Sequence, residues 1–201
     1  MKPLVLALDT TREYGSLALV RGGETIEELG LHAPEGFAHV LYGHLGAMLE
    51  RHSVKPGAID CFAAASGPGS FTGVRVGLAC IKGLAEAVGK PAVGVSNLRA
   101  LASLGRGPLR APVIDARRGE IYGAVYDASG GLVRPEVVAK LDAWRTTLPP
   151  GAEIVELAAD RPLAAAIARI ALAQFLRGEA TDPAVLDANY VRRPDAELLF
   201  R

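Results

Sequence analysis

The segment whose residues could most readily form a binding or catalytic site is SGPGSFTGVRVGL, residues 66–78. It lies between an apolar strand-like segment and an apolar helical pattern. A strand, a glycine turn and a helix N-terminus together can bind a phosphate through backbone N–H groups. A P-loop has its second glycine five residues after the first, followed by lysine. Those positions after Gly67 and Gly69 are Thr72 and Val74, and no lysine follows. The run is therefore not a P-loop.

Two other glycine templates match this run only in part. The dinucleotide pattern G-x-G-x-x-G is met at Gly67 and Gly69, but Thr72 occupies its third position. A nucleophile elbow would centre on Ser70, where Pro68 and Thr72 replace its two glycines. Two interpretations remain: an anion site at the helix N-terminus, or a turn that lets the helix pack close to the sheet, with Ser70 or Thr72 as N-cap. The sequence favours the second.

Two aspartates each follow an apolar strand-like run. Asp9 closes LVLAL and precedes Thr10, and Asp115 closes APVI. The carboxyl ends of strands are where α/β proteins often place ligand residues, and two-lobed ATPases use such aspartates near metal and phosphate. Asp9, Thr10 and Asp115 are therefore candidate cofactor-binding residues. The alternative is that each aspartate caps a turn.

Neither a metal-ligand set nor a nucleophile with its base can be read from the spacing. The histidines are His32, His39, His44 and His52. They form no i,i+4 pair and lie near no matching cysteine or carboxylate set. Cys61 and Cys80 lie in apolar segments, which predicts buried free thiols. The sequence thus predicts no catalytic residue and no metal site.

Composition limits the class of protein. The chain has 201 residues, no formal net charge, 50% hydrophobic and 22% charged residues, which favours a globular protein over a disordered or membrane one. The apolar run at the N-terminus is too short to cross a membrane, so we expect a cytoplasmic protein. Because the net charge is zero, we expect any contact with RNA to be shared with a partner.

Hydrophobic patterning predicts how these residues are positioned. Strands are expected at 4–8, 15–20, 25–31, 59–65, 111–115, 121–126 and near Ile154, and helices at 37–52, 74–88, 141–147 and 161–176. In each half a strand ends in aspartate, a second strand returns, and a Gly-Gly pair follows. The sequence therefore predicts two related lobes, 1–103 and a smaller 104–201.

The helices at 37–52 and 74–88 carry more apolar surface than one buried stripe requires. A partner subunit is one explanation, and a sandwich between the sheet and a neighbouring helix is the other. In the first, the glycine turn positions the second helix and Arg75 anchors its start. The residues assigned to the contact or to its structural support are Phe37, Leu41, Leu45, Met48, Gly67, Gly69, Ser70, Phe71, Thr72, Gly73, Arg75, Val76 and Ile81.

Several segments together resemble the TsaB (YeaZ) family, a bacterial subunit of the machinery that makes threonylcarbamoyladenosine in tRNA. They are LALDTTREYGSLAL, AASGPGSFTGVRVGLACIKGLA, GVSNLRALA, VIDARRGEIYGAVY and YVRRP, covering about 4–126 and 190–194. The resemblance implies an α/β, two-lobed actin/Hsp70-like (ASKHA, ribonuclease H-like) fold with mixed sheets flanked by helices and a reduced second lobe. Family members usually have histidine, then serine or threonine, where this chain has residues 35–38, EGFA.

The resemblance also implies a function in which the chain is not itself an enzyme. It would pair with and support the catalytic paralogue TsaD, together with the ATPase TsaE, to form N6-threonylcarbamoyladenosine at position 37 of tRNAs that read codons starting with A. The family implies no intrinsic cofactor, ATP use by the assembled complex, only indirect contact with tRNA, and a homodimer when alone. The competing hypothesis is an autonomous actin/Hsp70-type ATP-binding enzyme that uses Asp9, Thr10 and Asp115.

Overall fold

The computed structural model describes residues 1–192, which divide into two units. The first unit comprises Met1–Asn97 and Ala159–Ala188. The second comprises Leu98–Ala158 and, of the described residues, 189–192. The sequence-based boundary at residue 103 lies near the first junction. The return of Ala159–Ala188 to the first unit differs from the sequence-based division, which placed all of 104–201 in the second lobe.

The described elements largely follow the hydrophobic pattern. The strands are β1 (Leu4–Asp9), β2 (Tyr14–Arg21), β3 (Glu24–His32), β4 (Cys61–Gly67), β5 (Ala92–Ser96), β6 (Leu109–Arg117), β7 (Glu120–Asp127), β8 (Leu132–Lys140) and β9 (Glu153–Glu156). The helices are α1 (Leu41–Arg51), α2 (Phe71–Val88), α3 (Asn97–Ala102), α4 (Leu141–Thr146) and α5 (Ala164–Leu176). Short 3₁₀ turns occupy Phe37–His39, Pro56–Ala58 and Pro183–Val185.

The sheet of the first unit has the strand order β3-β2-β1-β4-β5. Strands β1, β2 and β3 form an antiparallel meander, and β4 and β5 continue the sheet parallel to β1. Every residue of β1 is buried, because a strand covered on both faces buries both sets of alternating side chains. Leu4, Leu6 and Leu8 pack with residues of α1 and α2 in one core cluster. Helix α5 contacts β1, β2, β4 and β5 and covers the opposite face.

The sheet of the second unit repeats this topology in shorter form, with the order β8-β7-β6-β9. Strands β6, β7 and β8 form an antiparallel meander, and β9 pairs parallel to β6 after helix α4. The repeated hairpin predicted from the sequence is therefore confirmed. Strand β8 was not predicted because most of its first half is exposed and it contains Pro135, which is tolerated because β8 is an edge strand.

Helix α5 belongs to the first unit because the first sheet supplies its N-terminal cap. The N-cap residue Leu163 provides no side-chain hydrogen bond. Instead, the N–H groups of Leu163 and Ala164 donate to the Ser16 hydroxyl at 3.1 and 3.0 Å, and the N–H of Ala165 donates to Glu28 Oε1 at 2.7 Å. Ser16 is fully buried in β2. These long-range bonds explain why local patterning did not assign the helix to its unit.

We expect Ser16→Ala to lower the free energy of unfolding by about 2 kcal/mol, because two buried N–H groups at the start of α5 lose their acceptor. Urea denaturation followed by far-ultraviolet circular dichroism measures the change. Ser129→Ala is the control, because this exposed hydroxyl bonds only within its own turn and its loss costs less than about 0.5 kcal/mol. Equal losses in the two variants would show that the remote cap contributes nothing.

Candidate functional site

The glycine turn after β4 packs closely against the turn after β1. Gly67 has φ +103°, a conformation that favours glycine, and its N–H donates to Asn97 Oδ1 at 3.0 Å. A Cβ on Gly69 would lie 2.7 Å from the carbonyl oxygen of Thr11. That same oxygen accepts the N–H of Ser70 at 2.7 Å. The first glycines of the run thus serve close contact between two backbone turns.

The start of α2 is fixed by further internal contacts. Ser70 is the N-cap, as one interpretation predicted, and its hydroxyl accepts the N–H of Gly73 at 3.2 Å. Thr10 donates its hydroxyl to the Gly73 carbonyl at 2.7 Å. A Cβ on Gly73 would lie 2.0 Å from the Thr10 carbonyl oxygen, and one on Gly77 would lie 2.5 Å from the Thr10 hydroxyl. The N–H groups of Gly67, Ser70 and Gly73 are all used within the fold, which favours the structural interpretation of the run.

Asp9 is fully buried and caps the turn that follows β1. Its Oδ1 accepts the N–H and hydroxyl of Thr11 at 2.9 and 2.6 Å. Asn97 Nδ2 lies 3.4 Å from the same oxygen and 2.8 Å from the Thr11 hydroxyl, and Arg12 Nη2 lies 3.8 Å from Asp9 Oδ2. The carboxylate therefore holds a turn. Asn97, which connects this cluster to Gly67, was not singled out from the sequence, although it lies in the quoted segment GVSNLRALA.

Asp115, the other candidate aspartate, is exposed and also caps a turn. Its Oδ1 accepts the N–H of Arg117 at 2.8 Å. Glu120, which follows in β7, pairs with Arg192, whose guanidinium also donates to the Ala116 carbonyl. Of the YVRRP segment, residues 193 and 194 lie outside the described residues. Within residues 1–192, no three His, Cys, Asp or Glu side chains are grouped to hold a metal ion.

Both cysteines are buried free thiols, which confirms the prediction. Burial raises the pKa of the Cys61 thiol to about 12, and the nearby Asp60 carboxylate adds to the shift. Burial also raises the pKa of Cys80. Neither thiol has the lowered pKa of a nucleophile.

We expect Cys61 to resist iodoacetamide in the folded protein at pH 9. At the ordinary thiol pKa of 9.0 an exposed cysteine is half ionised, whereas about one Cys61 side chain in a thousand is. Mass spectrometry after timed labelling measures this, and the urea-unfolded chain is the control. Because the unfolded chain loses this proton first, Cys61 also makes stability fall as the pH rises from about 9 to 12. Rapid labelling of folded Cys61 would contradict the expected burial.

The predicted contact residues on α1 and on the 3₁₀ turn before it are buried inside the first unit. Phe37, Leu41, Leu45 and Met48 are all buried in the core cluster of the first unit, and so is Ile81 on α2. The reason is periodicity: the apolar positions of an amphipathic helix are those that face the sheet. Val76 is half-buried and packs against the same core. The exposed surface of both helices consists of residues between these positions.

On that exposed surface the small and aromatic residues that surround Glu50 and Glu86, with Arg75, are here called the α1–α2 face. Its members are Tyr42, Gly43, Gly46 and Ala47 on α1 and Phe71, Thr72, Arg75, Ala79, Gly83 and Ala87 on α2. Tyr42 is 60% exposed, and its side chain also hydrogen-bonds Cys80, which connects the two helices. Phe71 is 47% exposed, with the Arg75 guanidinium carbon 3.7 Å from its ring centroid. Aromatic and arginine side chains are enriched at the contact surfaces between proteins.

At three glycine positions of this face, no contact within the chain requires glycine. A Cβ on Gly43, Gly46 or Gly83 would meet nothing within 4 Å. Glycine inside a helix costs about 1 kcal/mol relative to alanine, so these positions carry a cost in the isolated chain. Small residues at such positions permit another backbone to approach closely. In the part of the chain that is described, no helix has both the length and the apolar character needed to span a bilayer.

Comparisons with known proteins agree with the geometry. A family model described as TsaD, tRNA N6-adenosine threonylcarbamoyltransferase, matches residues 33–184. The tRNA threonylcarbamoyladenosine biosynthesis protein TsaB of Bacillus subtilis is 33% identical over 135 residues, which cover 66% of this chain but only 59% of that protein. An uncharacterised protein of Mycobacterium tuberculosis is 30% identical over 208 residues, 97% of this chain and 94% of its own length.

The solved structure of YeaZ from Pseudomonas aeruginosa superposes with a TM-score of 0.79 at 26% identity, covering 94% of this chain and 99% of that one. The fold predicted from the sequence, α/β with two actin/Hsp70-like (ASKHA, ribonuclease H-like) lobes and mixed sheets flanked by helices, is therefore confirmed. The second sheet has four described strands and the first has five.

Proposed function

Because the chain belongs to the TsaB (YeaZ) family, we propose that it is a non-catalytic subunit of the machinery that forms N6-threonylcarbamoyladenosine in tRNA. In this proposal it pairs with a TsaD-type catalytic subunit and supports catalysis there, with a TsaE-type ATPase as the third component. The product is the modified adenosine at position 37 of tRNAs that read codons starting with A. In the absence of the other subunits, two copies of the chain pair as a homodimer.

The observation that carries this proposal is the α1–α2 face. Gly43, Gly46 and Gly83 lower the stability of the isolated chain, and no neighbour within the chain requires them. A helix pair from another subunit would bury Tyr42 and Phe71 and approach the small residues closely, which offsets that cost. A second copy of this chain carries the same face and can pair with it about a two-fold axis.

The non-catalytic part of the proposal is supported by how the candidate residues are used. Asp9 and Asp115 cap turns, and the N–H groups of the glycine run bond to Thr11, Asn97 and Ser70 within the fold. In the proposal these groups stabilise the chain, and the buried Asp9 Oδ2, which accepts no hydrogen bond and lies 3.8 Å from Arg12 Nη2, binds no nucleotide. In the proposal the chain has no cofactor of its own, and the assembled complex consumes ATP.

The test is reconstitution from purified components. The chain and the TsaD-type subunit are mixed and analysed by gel filtration with light scattering, and tRNA is then assayed for the modified nucleoside by mass spectrometry with and without this chain. We expect a heterodimer, and nucleoside formation that requires the chain. A chain that stays monomeric at micromolar concentration and does not pair would contradict the proposal. ATP turnover by the isolated chain would favour the competing ATP-binding hypothesis.

A further inference from the structure

The segment that leads into α5, residues 159–162, is here called the connector. Within residues 1–192, no backbone group of the connector bonds to another backbone group. Its hydrogen bonds come from one side chain. Arg12 donates through Nη1 to the carbonyl oxygen of Ala159 at 3.1 Å and through Nη2 to that of Arg161 at 3.0 Å. Both acceptor residues are exposed, whereas the Arg12 side chain is only 19% exposed. Arg12 therefore fastens the connector to the turn after β1.

The structures on either side of the connector are held independently of it. In the turn that carries Arg12, Thr10 and Thr11 each form a hydrogen bond of 2.7 Å with the start of α2. At the other end, the first N–H groups of α5 donate to the Ser16 hydroxyl. The connector can therefore open locally, without unfolding the turn or the helix, when the two bonds from Arg12 break.

Two buried polar atoms beside this fastening have no hydrogen-bond partner among the described residues, namely Asp9 Oδ2 and Arg12 Nε. Asp9 is fully buried, and its Oδ2 lies 3.8 Å from Arg12 Nη2, which is close enough for an ion pair but too far for a hydrogen bond. Leaving a carboxylate oxygen and a guanidinium N–H buried without partners is unfavourable. A movement of about 1 Å would bring the guanidinium to the distance of a charge-assisted hydrogen bond.

We propose that Arg12 is a latch with two positions. In the outer position, which the structure describes, the guanidinium holds the connector and leaves Asp9 Oδ2 and its own Nε without partners. In the inner position it donates to Asp9 Oδ2, and the carbonyl groups of Ala159 and Arg161 bond to water, because both residues are exposed. Each position satisfies groups that the other does not, which brings the two positions close in free energy. The connector is thus a strap that opens at the start of α5.

A nitroxide spin label attached to Asp160→Cys tests the latch, because Asp160 is exposed and lies between the two residues that Arg12 holds. Cys61 and Cys80 are buried, and the chain without the added cysteine gives the background labelling. Electron paramagnetic resonance separates immobile label on a fastened connector from mobile label on a released one. We expect both components, in a ratio that changes reversibly with temperature. A single immobile component at every temperature at which the chain stays folded would overturn the proposal.

Asp9→Asn, in the same labelled chain, removes the inner position. The amide oxygen can still accept the N–H and hydroxyl of Thr11, while an amide nitrogen replaces the oxygen that would receive Arg12. We expect the mobile fraction to fall at least about threefold, because the guanidinium loses its alternative partner. The opposite result, or no change, would mean that Asp9 only supports a fixed Arg12, and the second position would be rejected.

Arg12→Lys tests the latch without altering the buried carboxylate. An ammonium group can approach Asp9 but has no fork of separate nitrogens for the two carbonyl groups of the connector, so the mobile fraction should rise at least about threefold. The control is Arg21→Ala, which removes an exposed arginine at the end of β2 and should leave the spectrum unchanged. A connector that is as immobile with Arg12→Lys as in the parent chain would show that Arg12 does not fasten it.

Discussion

Gly73→Ala should destabilise the chain by about 3 kcal/mol, one of the largest effects available from adding a single methyl group. The added Cβ would lie 2.0 Å from the carbonyl oxygen of Thr10, which is backbone and cannot rotate away. Relief would require α2 to move from the turn after β1. That movement would break the bond from the Thr10 hydroxyl to the Gly73 carbonyl and the bond from Ser70 N–H to the Thr11 carbonyl.

Gly83→Ala is the matched control, because it adds the same methyl group to the same helix in open space. Here alanine should raise the free energy of unfolding by up to about 1 kcal/mol, through helix propensity alone. Urea denaturation of both variants and the wild type gives the sign of each change in the free energy of unfolding in one experiment. If both variants were destabilised, or if neither changed in stability, close packing against Thr10 would not be the reason that position 73 requires glycine.

Ala79→Arg should weaken pairing with the TsaD-type subunit, and self-pairing, at least about 100-fold. Ala79 lies on the exposed side of α2 between Arg75 and Gly83, at the i+4 spacing of one helix face. An arginine there would prevent close approach of the partner helix and would add a charge beside Arg75. Because the side chain points to solvent in the unpaired chain, the melting temperature should stay within about 2 °C of the wild type when both are measured at a concentration too low for self-pairing.

Val76 is a less informative position for this experiment, because it packs against the core and a charge there would also unfold the chain. The matched control is Ala128→Arg, in the exposed turn between β7 and β8 of the second unit. Analytical ultracentrifugation measures self-pairing, and surface plasmon resonance measures binding to the catalytic subunit. Full pairing by a folded Ala79→Arg chain would remove the α1–α2 face from the proposed contact.

The parts of the fold that were predictable depended on local pattern. The continuous apolar run before Asp9 predicted β1, and the two hairpins that begin with an aspartate-ended strand predicted the repeated topology of the two sheets. Helix α2 begins at Phe71 rather than at 74, because the cap bond of Ser70 adds a first turn that hydrophobic periodicity does not mark.

The parts that were missed depended on long-range polar contacts or on the choice between two faces of a helix. The Ser16 cap assigns α5 to the first unit across a long stretch of sequence, and Asn97 joins the turns after β1 and β4. On α1, apolar periodicity identified the side that contacts the sheet, whereas the proposed contact uses the glycines and Tyr42 between those positions. A hydrophobic pattern marks what is buried inside one chain, and small exposed residues carry no comparable signal.

The remote cap of α5 has a consequence for the order of synthesis. A ribosome releases the strands of the first sheet early, but the helix that covers one face of that sheet lies in Ala159–Ala188 and emerges after the strands of the second unit. Val5, Ala7 and Ala18 are fully buried in the finished fold. Until α5 has been synthesised, the face of the first sheet that carries them has no helix to cover it. We therefore expect the nascent chain, stalled before α5 appears, to be a better substrate for chaperones than the completed protein.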